Sequence, residues 1–141
     1  LDKDQQVSLL EAFLTAAHHT TEFYKTEGRL ATEHALIDDN GDTRGTPAEL
    51  FRGIRVTKEP EGGTLPDGPR AHQLHLILNE FEQKLPPETR TQRNTLELQL
   101  AKLRAQKNFL EEDKYYQKLE SFLLQLAKLY ELNSINENQQ P

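Results

Sequence analysis

Asp38, Asn40 and Asp42 stand two residues apart in the stretch DDNGDTRGTPAE, with Thr46 and Glu49 further on. Oxygen-bearing side chains at those offsets are what a twelve-residue calcium loop aims at a hard cation. With Asp38 as first ligand, Asp38, Asn40 and Asp42 supply side-chain oxygens at positions one, three and five. Arg44 offers its backbone carbonyl at seven, Thr46 stands at nine and Glu49 closes the ring at twelve. Two positions depart from the pattern: Thr43 holds the sharp-turn position where glycine is usual, and Gly45 replaces the apolar residue that pairs one loop with another. A reading without an ion also exists. Thr46-x-x-Glu49 around Pro47 is a helix capping box, and Asp/Asn/Gly clusters make ordinary turns.

The start of the chain, LDKDQQVSLLE, repeats the idea. Were an aspartate to precede Leu1, Asp2 and Asp4 would be positions three and five, Gln6 seven, Val7 the apolar pairing residue, Ser8 nine and Glu11 twelve. Gln5 stands where glycine belongs, and Ser8-x-x-Glu11 is again a capping box. Two such loops separated by helices make an EF-hand-like pair lacking its first helix, with Ca²⁺ as the expected ion and the first loop, its ligand set incomplete, as the weak binder.

Other reactive side chains form no comparable pattern. His18-His19 directs its rings to different sides of a helix, so they do not share one ion. His34 precedes Asp38 by one turn, which predicts a hydrogen bond between them. His72-x-x-His75 has metal-compatible helical spacing but no third ligand close in sequence. Ser8 and Ser121 lie in helical contexts without a neighbouring base, and Glu11, Glu33 or Glu49 would need a cleft to act as an acid/base pair. No catalytic constellation is present in the sequence. The absence of cysteine removes disulfides, thiolate zinc sites and cysteine nucleophiles.

The elements that would carry these loops read as mainly α. Leu9, Leu10, Phe13, Leu14 and Ala17 recur at helical spacing and predict a helix from Ser8 to about Lys25, interrupted at Gly28. RLATEHALI predicts a second helix over 29–37, and PAELFRG a short one with Pro47 at its first position. IRVTKE reads as a brief extended segment. Residues 59–69, rich in Gly and Pro, form the expected boundary between an acidic front (1–58) and a helical part (70–132). There RAHQLHLILNEFEQKL predicts a helix over 70–85, ended by Pro86-Pro87. Leu96, Leu100, Leu103 and Leu110, interrupted by Lys107, mark a helix over 88–110. Tyr116, Leu119, Leu123, Leu126 and Tyr130 mark another from about Glu111, the two pairing as an antiparallel hairpin. Leu98, Phe109, Phe122 and Leu129 on the outer faces would take a third helix or a protein partner. The polar tail 133–141 is expected to fray.

Residues 1–49 hold ten acidic and four basic groups and residues 50–141 thirteen of each, so the whole net charge of −6 falls in the first third. That imbalance disfavours nucleic acid there and favours a cation or a basic partner. No apolar run approaches the roughly 20 residues that span a bilayer, so membrane insertion is not expected. A chain without methionine that starts at Leu1 reads as a piece of a longer protein.

LDKDQQVSLLEAF, RLATEHALIDDNGDTRGTPAELFRGIR, RAHQLHLI, EQKLPPETR and LAKLYE together resemble the portion that follows a caspase- or legumain-like cysteine peptidase domain in certain bacterial proteins. The resemblance spans nearly the whole chain. It implies that the catalytic His and Cys lie upstream and that an upstream peptidase-like domain is the partner. It also implies acidic calcium-type loops at Asp2, Asp4, Ser8 and Glu11 and at Asp38, Asn40 and Asp42, usually with glycine where Gln5 and Thr43 stand. The expectation is therefore a non-catalytic structural, calcium-binding C-terminal segment of such a peptidase. The alternative is an autonomous calcium-responsive adaptor that binds a protein through its hairpin.

Overall fold

Ser8 decides where the first helix begins. In the computed structural model, which describes residues 2–32, 34–58 and 60–137, the chain is mainly helical with three small two-stranded sheets. It divides into two compact units: residues up to 59 together with Pro66–Asn79, and Pro60–Leu65 together with the residues from Glu80 onward.

In the first unit, strand β1 (Val7–Ser8) leads directly into helix α1 (Leu9–Thr26). The Ser8 hydroxyl accepts the Glu11 amide while the Glu11 carboxylate accepts the Ser8 amide, so the capping box read from the sequence is formed. Gly28 ends the helix at φ 63°, where Gly28 N–H donates to Lys25 O and Arg29 N–H to Tyr24 O, a Schellman closure. Leu10 and Ser8 are fully buried at the centre of this unit, with Ala71, Asp67 and Glu11 beside them.

Residues 29–32, 34 and 35 do not form the helix expected over 29–37. β2 (Leu36–Ile37) pairs antiparallel with β3 (Thr46–Pro47) instead. A nine-residue helix gains little on its own, and Leu30, which would have faced the core, is 89% exposed. PAELFRG likewise gives only a 3-10 turn (Ala48–Leu50) before the hairpin of β4 (Phe51–Arg52) and β5 (Arg55–Val56). The brief extended segment expected at IRVTKE is thus β5.

The single helix expected over 70–85 is three elements: α2 (Pro69–Gln73), β6 (His75–Ile77) and, in the second unit, α3 (Glu80–Lys84). β6 pairs antiparallel with β1, and Leu9 N–H donates to Leu74 O. The donors and acceptors of the β1 backbone need partners, and this demand outweighs the helical period of the sequence. Gly68 enters α2 at φ +109°, and a Cβ there would lie 2.9 Å from the Phe51 ring, so no other residue fits.

In the second unit, α4 (Pro87–Ala105) packs against α5 (Glu112–Glu137). Leu85, Leu100, Leu103 and Tyr115 are buried, and the buried Glu82 of α3 pairs with Arg93 of α4. The inward stripe of α5 keeps Leu119 and Leu126 of the expected one, both half-buried, but not its other members. Tyr115 is buried while Tyr116 and Leu123 are 49% and 46% exposed, and Phe122 and Leu129, expected on an outer face, are half-buried. α4 ends at Ala105, short of the helix expected over 88–110, and Lys107, expected to interrupt its apolar seam, lies on a 3-10 turn (Lys107–Phe109) over the Tyr115 ring. α5 runs on to Glu137, and the last four residues of the tail expected to fray lie outside the described residues.

Candidate metal centre

The two acidic loops of the first unit share one backbone conformation. Lys3 and Gln5 have φ of 63° and 65°, Gly41 and Thr43 of 80° and 66°. These residues occupy the same two places, the fourth and sixth, of the two loop patterns. The side-chain hydrogen bonds repeat as well. In the first loop Asp4 N–H donates to Asp2 Oδ1 (3.3 Å) and Gln6 N–H to Asp4 Oδ1 (2.9 Å). In the second, Asp42 N–H donates to Asn40 Oδ1 (2.8 Å) and Arg44 N–H to Asp42 Oδ1 (2.8 Å). Each side chain captures an amide two residues ahead, which tightens the reversal. The left-handed residue at the turn is the geometry for which glycine is usual, adopted here by Gln5 and Thr43.

The loops differ in how they close. In the first, α1 begins immediately, so Glu11 sits on its first turn and comes back to the loop. One carboxylate oxygen each from Asp2, Asp4 and Glu11 lies within 4.8 Å of the others. Oxygens around one Ca²⁺, each 2.3–2.6 Å from the ion, are separated by at most about 5 Å, so the set fits that ion. The Glu11 Oε2 already accepts the Ser8 amide (3.0 Å) and hydroxyl (3.1 Å), which fixes the carboxylate in place. Gln6 Nε2 donates to Asp4 Oδ2, and the buried Gln6 Oε1 has no hydrogen-bond partner among the described residues. His72 of α2 reaches the same loop: its Nε2 is 3.7 Å from Asp2 Oδ2 and its Nδ1 3.4 Å from Ser8 Oγ. His75 lies on β6, paired in register with Ser8, and its ring centroid is 6.1 Å from that of His72.

In the second loop Asp38 Oδ1 accepts the Gly41 amide (2.9 Å), while Asp38, Asp42 and Glu49 do not converge into such a group among the described residues. Glu49 lies on the 3-10 turn and pairs with His34 (3.5 Å), so His34 meets Glu49 rather than the expected Asp38. The Thr46 hydroxyl donates to Asp67 Oδ2 (2.6 Å), and the 3-10 turn has no side-chain cap, so the predicted capping box with Glu49 does not form. Glu33, named with Glu11 and Glu49 as a possible acid/base partner, lies outside the described residues.

Two aspartates that sequence reasoning missed hold this loop. Asp67, buried to 4% exposure, accepts the amides of Asp39 (3.2 Å) and Asn40 (3.4 Å) in addition to Thr46. Asp39 reciprocates by accepting the amides of Gly68 (3.0 Å) and Ala71 (2.7 Å), capping α2. The available signal was Asp67-Gly-Pro: an acid before the glycine and proline that open a helix.

Electrostatics separates the two loops further. Burial opposes ionisation of Asp4, but hydrogen bonds from the Gln6 amide and side chain outweigh it and hold its carboxyl below the usual range. Glu11 is also lowered: burial works against it, and the hydrogen bonds it accepts, those from Ser8 among them, prevail. Asp39 is raised, chiefly by burial and further by the neighbouring Asp67 charge, against the pull of the Ala71 and Gly68 amides. Asp4 and Glu11 of the first loop are thus held in their anionic form.

No helix among the described residues is long and apolar enough to cross a membrane. No family model, curated protein or solved structure matches the chain.

Proposed function

We propose that the first unit is an EF-hand-like calcium-binding module. In this reading the chain is the non-catalytic, structural C-terminal part of a caspase- or legumain-like cysteine peptidase protein. Asp2, Asp4 and Glu11 are the side-chain ligands of the principal site, with the Gln6 carbonyl and Ser8 completing its ring. Asp38, Asn40, Asp42, Arg44, Thr46 and Glu49 form a second, weaker loop. The observation that carries the reading is the convergence of the three first-loop carboxylates on a backbone that the second loop repeats. Bound Ca²⁺ would neutralise the mutual repulsion of these carboxylates and so stiffen the junction of β1 with α1. The peptidase context rests on the strings quoted above.

The second reading is an autonomous calcium-responsive adaptor whose α4–α5 hairpin binds a protein. It is favoured by the exposure of Tyr116, Leu123 and Leu124 along α5. Calorimetric titration with CaCl₂ tests the metal claim shared by both. Binding that Asp4→Ala abolishes supports it, and no heat with no change in melting temperature refutes it. The residues encoded ahead of Leu1 separate the two readings. A His and Cys in a caspase-like arrangement support the peptidase, and an initiator methionine close by removes it.

A further inference from the structure

The β4–β5 hairpin carries a feature unconnected with metal. Residues 50–58 hold three cations, Arg52, Arg55 and Lys58, and no anion, within a unit whose first 49 residues hold ten acids. Arg52 and Arg55 are direct cross-strand partners, flanking a two-residue turn in which Gly53 takes φ +59°. Directly opposed like charges destabilise a strand pair. Yet neither guanidinium pairs with a carboxylate among the described residues: the ion pairs of this unit are Lys25–Glu22, His34–Glu49 and His72–Asp2. The hairpin is nonetheless firmly built. Thr57 donates to Leu50 O through both its amide (2.7 Å) and its hydroxyl (2.8 Å), extending the ladder. Phe51, on the opposite face of the strand from Arg52, packs where Gly68 makes room.

We infer that Arg52 and Arg55 form a carboxylate clamp that docks an acidic segment of a partner protein. Directly opposed Arg52 and Arg55, both exposed, bring two planar guanidinium forks to one face of the hairpin, and such forks offer bidentate donors to carboxylates. The occupant is an Asp/Glu-bearing peptide rather than nucleic acid. The acidic surplus elsewhere in the unit repels a dense polyanion, whereas a short acidic segment meets the hairpin alone. A repulsion that no carboxylate among the described residues relieves, kept on a tight turn, is what a binding function would retain at the expense of stability.

The test uses the full chain, ¹⁵N-labelled and in EDTA so that calcium plays no part, titrated with a hexaglutamate peptide at about 0.1 M salt. Inorganic phosphate and duplex DNA serve as parallel probes. The peptide is expected to shift the amides of residues 51–56, and Arg52→Ala with Arg55→Ala to weaken binding by about tenfold or more. Arg52→Lys keeps the charge but loses the fork, and should weaken binding several-fold. Arg55→Glu should abolish peptide binding while raising the Tm by about 1–3 °C, since it turns a repulsive pair into an attractive one. Peptide binding unchanged by the double alanine variant, phosphate or DNA binding as tightly as the peptide, or a lower Tm for Arg55→Glu would each overturn the inference.

Discussion

Thr43 is a β-branched residue held at φ 66°, in the place where the loop pattern uses glycine, and Gln5 occupies the matching place at φ 65°. Outside glycine this conformation costs roughly 1–2 kcal/mol, and a branched Cβ lies toward the upper end. Glycine would relieve that strain but lose about 0.5–1 kcal/mol through the freedom it gains in the unfolded chain. Thr43→Gly should therefore stabilise the protein by about 0.5–1 kcal/mol, and Gln5→Gly by somewhat less. Both residues are exposed and their neighbours' hydrogen bonds run through backbone amides, so no packing is lost. Urea denaturation followed by far-UV circular dichroism, with hydrogen exchange at the Gln6 and Arg44 amides as the local probe, measures the effect. Gln5→Gly should also tighten calcium binding, because the Gln6 carbonyl then reaches its ligand position without backbone strain. A Thr43→Gly protein less stable than the parent, or a Gln5→Gly protein with unchanged stability and unchanged calcium affinity, would refute the argument that both loops are strained copies of one turn.

Other outcomes follow from the same geometry. On the calcium-binding proposal, calcium at about 10 mM should raise the Tm by a few degrees, an increase that Asp4→Ala removes in a thermal melt. Asp67→Ala strips the buried acceptor from the Asp39 and Asn40 amides and the Thr46 hydroxyl, and should cost about 2–4 kcal/mol, read as faster amide exchange at Asp39 and Asn40. The pKa of Asp39 lies above the ordinary 3.8, so its contribution to stability is greatest below that pH and declines as pH rises through its folded value. Asp4 is lowered and works the other way: its contribution is complete above 3.8 and is lost as pH falls through its folded value. Carboxyl ¹³C titrations should show both directions, with the Asp39 midpoint falling in Asp67→Ala. Glu82→Ala removes the buried partner of Arg93, leaving it Asn94 and the more distant Glu97, and should cost about 2–4 kcal/mol, seen in the unfolding of the second unit.

What was legible in the sequence is what local chemistry controls. Ser8-x-x-Glu11 capped α1 and Gly28 ended it, because both act on orphan backbone groups within a few residues. Pro86-Pro87 set the start of α4 for the same reason. The alternation of Asp and Asn with amides two residues ahead is equally local, and it imposed one conformation on both acidic loops even without glycine at the turn. Tertiary structure decided the rest wherever two local choices were nearly equal. Residues 74–78 could continue a helix or pair with β1, and β6 is the strand that pairs with β1 among the described residues. α5 offers two heptad stripes, one through Tyr115, Phe122 and Leu129 and one through Tyr116, Leu123 and Tyr130; packing against α4 buried the first. Only the fold could bring Asp67 to the second loop, 21 residues from Thr46, and His72 to the first, 64 residues from Ser8, because long-range partners leave no period in a sequence.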